Sequence, residues 1–231
     1  MLGTIANTLA IIAGSLLGLL FSRGIADTYK EIILSGIGLS VILIGIKSAL
    51  VSNDLLVVIF SIVLGALCGE FLKIETKLQT IGKYLESRVA AKSSDTKSFA
   101  RGFVTASLVF CVGSMAIVGS LESGLTGNHQ TLFAKSVLDG VTSVIFASTM
   151  GLGVVFSAVA VFIYQGLITL TAGLMKDLLI PETIAQMTSV GGLLIMAIGL
   201  NMLKITTIRV GNLLPAIFLP LAYLALRRLF F

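Results

Sequence analysis

Met150-Gly151-Leu152-Gly153 interrupts an apolar run that covers residues 133–175. A hydrocarbon layer of about 30 Å takes about 20 helical residues to cross. The run is therefore too long for one ordinary span and only just long enough for two. Two glycines at the seam permit a tight turn. If the chain turns there, it holds eight apolar helices, at residues 2–21, 31–50, 55–72, 102–121, 133–150, 153–175, 184–203 and 210–226. If the run is one long broken helix, there are seven.

That parity decides how an internal echo is to be read. Ser35-Gly-Ile-Gly-Leu-Ser-Val-Ile-Leu-Ile-Gly45-Ile-Lys47 and Ser189-Val-Gly-Gly-Leu-Leu-Ile-Met-Ala-Ile-Gly199-Leu-Asn201 are identical at five of thirteen positions at an offset of 154. The shared residues are Ser35/Ser189, Gly38/Gly192, Leu39/Leu193, Ile44/Ile198 and Gly45/Gly199. With eight spans the echo is an inverted repeat of helices 1–3 and 6–8, with helices 4 and 5 between. With seven it is a parallel one. Transporters are often built from such repeats, with the substrate site between the halves.

Composition puts the whole chain in a bilayer. Hydrophobic residues make up 56% and charged residues 12% of the 231, and the mean hydropathy is +1.07. Soluble domains carry about 25% charged residues. The apolar runs are continuous and do not alternate as the strands of a membrane barrel do, so the expected fold is an all-α polytopic membrane protein. Its organisation reads as a first three-helix unit (1–72), a basic segment (73–101), a broken polar helix pair (102–150) and a second three-helix unit (151–231). The N-terminus is apolar from residue 2 and lacks a basic leader, which reads as a retained first span.

The net charge of +5 is not a nucleic-acid signal, because seven of the sixteen Lys and Arg residues lie between Lys73 and Arg101. Basic residues beside spans mark the cytoplasmic side. With that loop inside, the N-terminus is expected outside in both versions of the topology, and the rule does not choose between them. Within the loop, Ile74, Leu78, Ile81 and Leu85 recur at helical steps. The opposite face carries Lys73, Lys77, Lys83 and Arg88. Such a helix can lie on anionic headgroups over residues 73–89, or simply continue from the third span into water. Cys68 and Cys111 both sit in apolar runs, so no disulfide framework, metal site or cofactor is expected. His129 is a lone loop imidazole without nearby ligand partners.

Charge inside a bilayer is costly, at about 2.5–3.5 kcal/mol or more per residue, so its placement is informative. The richest region is Phe110-Cys-Val-Gly-Ser-Met-Ala-Ile-Val-Gly-Ser-Leu-Glu-Ser-Gly124, followed by Lys135-Ser-Val-Leu-Asp-Gly-Val-Thr-Ser143. Gly113, Gly119 and Gly124 can loosen the fourth helix, and Ser114 and Ser120 can bond freed backbone groups. Broken helices of this kind bring carbonyls and helix ends to a substrate. Lys135 and Asp139 are four apart and can pair on one helix face, with Ser136 and Ser143 close to the same face. If Glu122 joins them, the cluster is net negative by one and suits a cation or a proton. Against this, Glu122 and Lys135 can also reach the interface by snorkelling. Asp139 is too short to do so. Asn7 and Asn212 either line a path or bond across helices, and Gln165 and Asn201 are further polar residues within spans. No HExxH, phosphate-binding glycine loop or Ser-His-Asp set is present, so no enzyme is expected.

The runs Cys111 to Leu125 and Lys135-Ser-Val-Leu-Asp-Gly140, with Gly3-Thr-Ile-Ala-Asn-Thr8 and Gly211-Asn-Leu-Leu-Pro215, resemble the YqgA/YdfK family of bacterial membrane proteins. The resemblance spans nearly the whole chain. It implies a multi-pass protein of the bacterial plasma (inner) membrane and carries no activity with it. The expected function is a small secondary transporter or channel-like permease for a small solute or ion, with a pathway at Gly113, Ser114, Glu122, Lys135, Asp139 and Ser143. The alternative is a membrane scaffold or regulatory protein acting through residues 73–101. Gly-rich apolar faces would allow a homodimer.

Overall fold

In a computed structural model, the structure describes residues 1–21, 27–77, 80, 96–112, 114–175, 177 and 179–230. Most of the described residues are helical, and no strand occurs among them. In chain order the elements are α1 (Leu2–Phe21), α2 (Asp27–Ala49), α3 (Leu55–Phe71), α4 (Thr96–Cys111), α5 (Ser114–Leu125), α6 (Gln130–Met150), α7 (Gly153–Leu170), α8 (Ala172–Met175), α9 (Pro181–Met202), a 3-10 helix (Val210–Phe218) and α10 (Leu219–Phe230).

Among the described residues, six helical stretches are long and apolar enough to cross a membrane: Leu2–Phe21, Glu31–Ala49, Gln130–Met150, Gly153–Leu170, Pro181–Met202 and Val210–Arg227. A seventh arises if Phe99–Cys111 and Met115–Leu125, which meet at 60°, form one broken span. Each of the eight apolar segments read from the sequence is thus largely helical among the described residues, the fourth being split between α4 and α5. The third, Leu55–Phe71, has only 17 residues, or about 25 Å at helical rise, and falls short of a full span. The basic segment 73–101, with its amphipathic face through Leu78, Ile81 and Leu85, lies largely outside the described residues.

The seam is a true break. α6 ends at Met150 and α7 starts at Gly153, with Gly151 at φ +77° between them. A side chain at Gly151 would meet open space, so the left-handed backbone, and not crowding, is what demands glycine there.

The chain divides into two compact units that interleave along the sequence: Met1–Leu34, Thr76–Cys111 and Met115–Gly173 in the first; Ser35–Glu75, Val112–Ser114 and Leu174–Phe231 in the second. In the first unit α1 and α6 run in the same direction. Gly3 lies against Leu132, Gly14 against the Gly140 carbonyl and Ser143, and Gly18 against the Val144 carbonyl. α7 runs opposite to α1, with the Thr4 and Thr169 hydroxyls 3.5 Å apart. α6 and α7 therefore form a hairpin about the seam. α4 packs on this pair through Phe99 and Phe156, whose rings are 5.4 Å apart, and Phe110 and Phe146, 5.9 Å apart. The outward face of α6 carries Val137, Leu138, Val141 and Ile145, all exposed. An apolar face of this kind is what lipid covers.

In the second unit α2 and α9 cross antiparallel through the echoed glycines. A Cβ on Gly45 would stand 2.8 Å from the Gly192 carbonyl oxygen, one on Gly192 would stand 2.7 Å from the Gly45 oxygen, and one on Gly199 2.8 Å from the Gly38 oxygen. Backbone thus meets backbone, which only glycine allows. α3 and the 3-10 helix pack in the same antiparallel sense, Gly65 against Ala216 and Gly69 against Asn212. Asp54 caps α3, its Oδ1 accepting from the Val57 amide at 3.2 Å. Pro181 opens α9, where its missing N–H costs nothing. Pro215 lies inside the 3-10 helix, where its lack of a donor weakens the regular α-helical ladder.

Candidate functional site

α6 turns one polar stripe inward. Leu132, Lys135, Ser136, Asp139 and Ser143 recur at steps of three and four, and all are buried. Lys135 and Asp139 are each only 6% exposed. The Lys135 ammonium lies 3.0 Å from Asp139 Oδ1 and 2.9 Å from Oδ2. From α1, Asn7 Nδ2 donates to Asp139 Oδ2 at 2.9 Å, and Asn7 is fully buried. Both carboxylate oxygens are therefore held by an ammonium on the same helix and an amide on its neighbour. The Cys111 thiol, where α4 ends, lies within electrostatic reach of both Lys135 and Asp139.

Of the remaining pathway residues, neither Glu122 nor Ser143 bonds to this centre among the described residues. Glu122 accepts from the Thr131 hydroxyl at 2.7 Å, bracing the α5–α6 turn, while the Lys135 ammonium is taken by Asp139. Lys135 and Asp139 thus form a neutral ion pair, and Glu122 makes no ion pair with Lys135 among the described residues. Ser143 is buried but returns its hydroxyl to the Gly140 carbonyl at 2.7 Å, beside Gly14. Ser136 does likewise with Leu132, also at 2.7 Å. Gly113 lies outside the described residues, and Ser114 enters only as the first residue of α5.

Asn212 belongs to the second unit and serves a different end. Its Nδ2 donates to Glu70 Oε2 at 2.6 Å, and its Oδ1 accepts from the Glu75 amide at 2.7 Å. Glu75 Oε2 in turn accepts from the Gly211 amide at 2.7 Å, and Arg209 reaches Glu70 Oε1 at 2.9 Å. Asn212 therefore ties the end of α3 to the start of the 3-10 helix, which is the bonding role considered for it beside a path. Asn212→Ala should cost about 1–3 kcal/mol, because buried bonding groups lose their partner. Arg209→Ala should cost no more than about 1 kcal/mol, since the Arg209–Glu70 pair is more than half exposed. Thermal unfolding of the purified variants checks the order.

Two buried residues carry more than the sequence suggested. Gln165 of α7 and Ser120 of α5 are fully buried. Neither Gln165 side-chain atom, nor Ser120 Oγ, nor Asn7 Oδ1 has a hydrogen-bond partner among the described residues. The available sequence signal was a single carboxamide in the largely apolar helix 153–170, and it did not say where the amide points.

Over residues 2–225 the chain matches the family described as "Protein of unknown function (DUF554)". The chain belongs to that family. It is 35% identical over 225 residues to "Uncharacterized membrane protein YdfK" of Bacillus subtilis, covering 95% of this chain and 94% of that protein. It is 31% identical over 222 residues to "Uncharacterized protein YqgA" of Escherichia coli, again covering 95% and 94%. No solved structure matches. The resemblance read from the glycine-rich runs thus holds over nearly the full length, and with the apolar helices it makes this a multi-pass membrane protein.

Proposed function

We propose that this protein is a small secondary permease of the bacterial plasma membrane, linked to a proton or a cation, with Asp139 as the titrating group and Lys135 as its counter-ion. The observation that carries the reading is the buried Lys135–Asp139–Asn7 arrangement. A helix bundle does not need it for stability, since replacing a buried ion pair by apolar side chains is often neutral or favourable. Ionisable groups within a membrane bundle mark pathways and proton relays by default. When a proton or cation neutralises Asp139, the ammonium loses its partner and the Asn7 bond across α1–α6 goes to a neutralised, weaker acceptor. Occupancy of the carboxylate is thereby linked to the packing of two helices.

The inverted repeat is part of this reading. It is supported by the reciprocal approach of Gly45 to Gly192 and of Gly199 to Gly38. The first shared glycine of each echo meets the second shared glycine of the other, as a two-fold relation in the membrane plane requires. The N-terminus is placed outside and the 73–101 loop in the cytoplasm.

The test is Asp139→Asn, which keeps the acceptor for Asn7 and removes the charge. With the purified chain in liposomes, internal pH is followed under an imposed potential and with added cations. Wild type should carry a proton or cation current, and the variant should lose at least about tenfold while still inserting. Equal flux in the two proteins would sink the assignment.

A further inference from the structure

Of the first unit's buried polar residues with unpartnered atoms among the described residues, Asn7, Ser15, Ser107, Ser120 and Gln165, three lie within about a turn of one contact or of its neighbour. Thr4 of α1 meets Thr169 of α7 at 3.5 Å. Asn7 follows Thr4 by three residues, and Gln165 precedes Thr169 by four. Because the two helices are antiparallel, both amides stand one turn from that contact in the same direction. On α5, Gly124 lies against the Thr169 carbonyl, and Ser120 precedes Gly124 by one turn. Asn7 also holds Asp139, which ties the Lys135–Asp139 pair to Asn7.

We propose that Asn7, Ser120 and Gln165 form a subsite for a small neutral solute carrying both hydrogen-bond donors and acceptors. This rests on the permease reading and names its substrate class. Buried polar groups are nearly always bonded, and one left alone costs on the order of 1–3 kcal/mol. Here an amide carbonyl, a whole carboxamide and a hydroxyl have no partner among the described residues. Charge selects among ligands. Lys135 and Asp139 neutralise each other, so a bound ion would add net charge to a water-poor interior. A cation would leave the Gln165 NH2 group unmet and face it. An anion would face the carbonyl oxygens of Asn7 and Gln165. Only a neutral group of mixed character satisfies the whole set, and a carboxamide does so with its own C=O and NH2.

Three nearly isosteric probes test this: acetamide, acetate and acetamidinium. Each is added to the full chain in lipid nanodiscs and followed by saturation-transfer NMR, beside a Gln165→Leu variant. Acetamide should show transfer, the two ions should not, and the variant should lose the acetamide signal. Its melting temperature should stay level or rise, because an unbonded buried amide is replaced by an apolar side chain of similar size. Preference for acetamidinium or acetate, no transfer from any probe, or a Gln165→Leu protein that melts clearly lower would each overturn the subsite. The last would show that the amide has a structural partner. Acetamide binding with no flux of protons, cations or acetamide in liposomes defeats the permease reading alone. Asp139-dependent flux of protons or cations without acetamide binding defeats this inference alone.

Discussion

Lys135→Met should destabilise the folded protein by about 3–5 kcal/mol, the largest loss expected from any single change in the first unit. The Lys135 and Asp139 side chains are each only 8% exposed. Removing the ammonium leaves a carboxylate in an apolar bundle with a single amide donor, Asn7. The loss belongs to the stranded charge and not to the missing contact. The double variant Lys135→Met with Asp139→Leu should therefore recover most of it, since two well-packed apolar side chains replace an ion pair at little cost. Thermal or denaturant unfolding of the two variants in the same detergent makes the comparison. If the double variant is as unstable as the single, the pair is structural and its place in a transport pathway is lost.

Gly45→Ala should cost about 1–3 kcal/mol by overpacking, while Gly36→Ala on the same helix should cost nothing or stabilise by up to about 1 kcal/mol. The chemistry of the two changes is the same and only the surroundings differ. A Cβ at Gly45 would stand 2.5 Å from the Met196 nitrogen and 2.8 Å from the Gly192 oxygen. Those are backbone atoms, which cannot rotate aside as a side chain can. At Gly36 nothing lies within 4 Å. The melting temperatures of the two variants decide the matter. Equal effects would mean that α2 and α9 do not approach as closely as the echoed glycines imply, and would remove the support for a two-fold relation between them.

What could be read in one dimension was whatever is local. Continuous apolar runs gave membrane helices, because a backbone in lipid must satisfy its own hydrogen bonds. The i,i+4 spacing of Lys135 and Asp139 placed both on one face of one helix, and the structure has them paired. The two glycines at the seam allowed a turn, and Gly151 takes the positive φ that a turn there needs.

Long-range partners were not legible. Asn7 reaches Asp139 across 132 positions of sequence, and nothing in either segment names the other. Lys135 is the nearest Lys or Arg to Glu122 in the sequence. Glu122 went to Thr131 instead, because the α5–α6 turn sets that hydroxyl beside it. Gln165 read as one polar residue among apolar ones. Its burial with neither side-chain atom bonded depends on which faces of α1, α5 and α7 meet.

The sequence by itself determined the solvent this chain lives in, its helical segments and the polar stripe of α6, since these follow from hydropathy and helical period alone. Only the tertiary structure decided that the seam between Met150 and Gly153 makes a hairpin. It alone brought the echoed glycines backbone to backbone, set Asn7 on the buried ion pair, and buried Ser120 and Gln165 without a side-chain partner among the described residues. The physical reason is that periodicity says which face of a helix is buried but not which helix buries it. That choice is made by close packing between segments far apart in the chain.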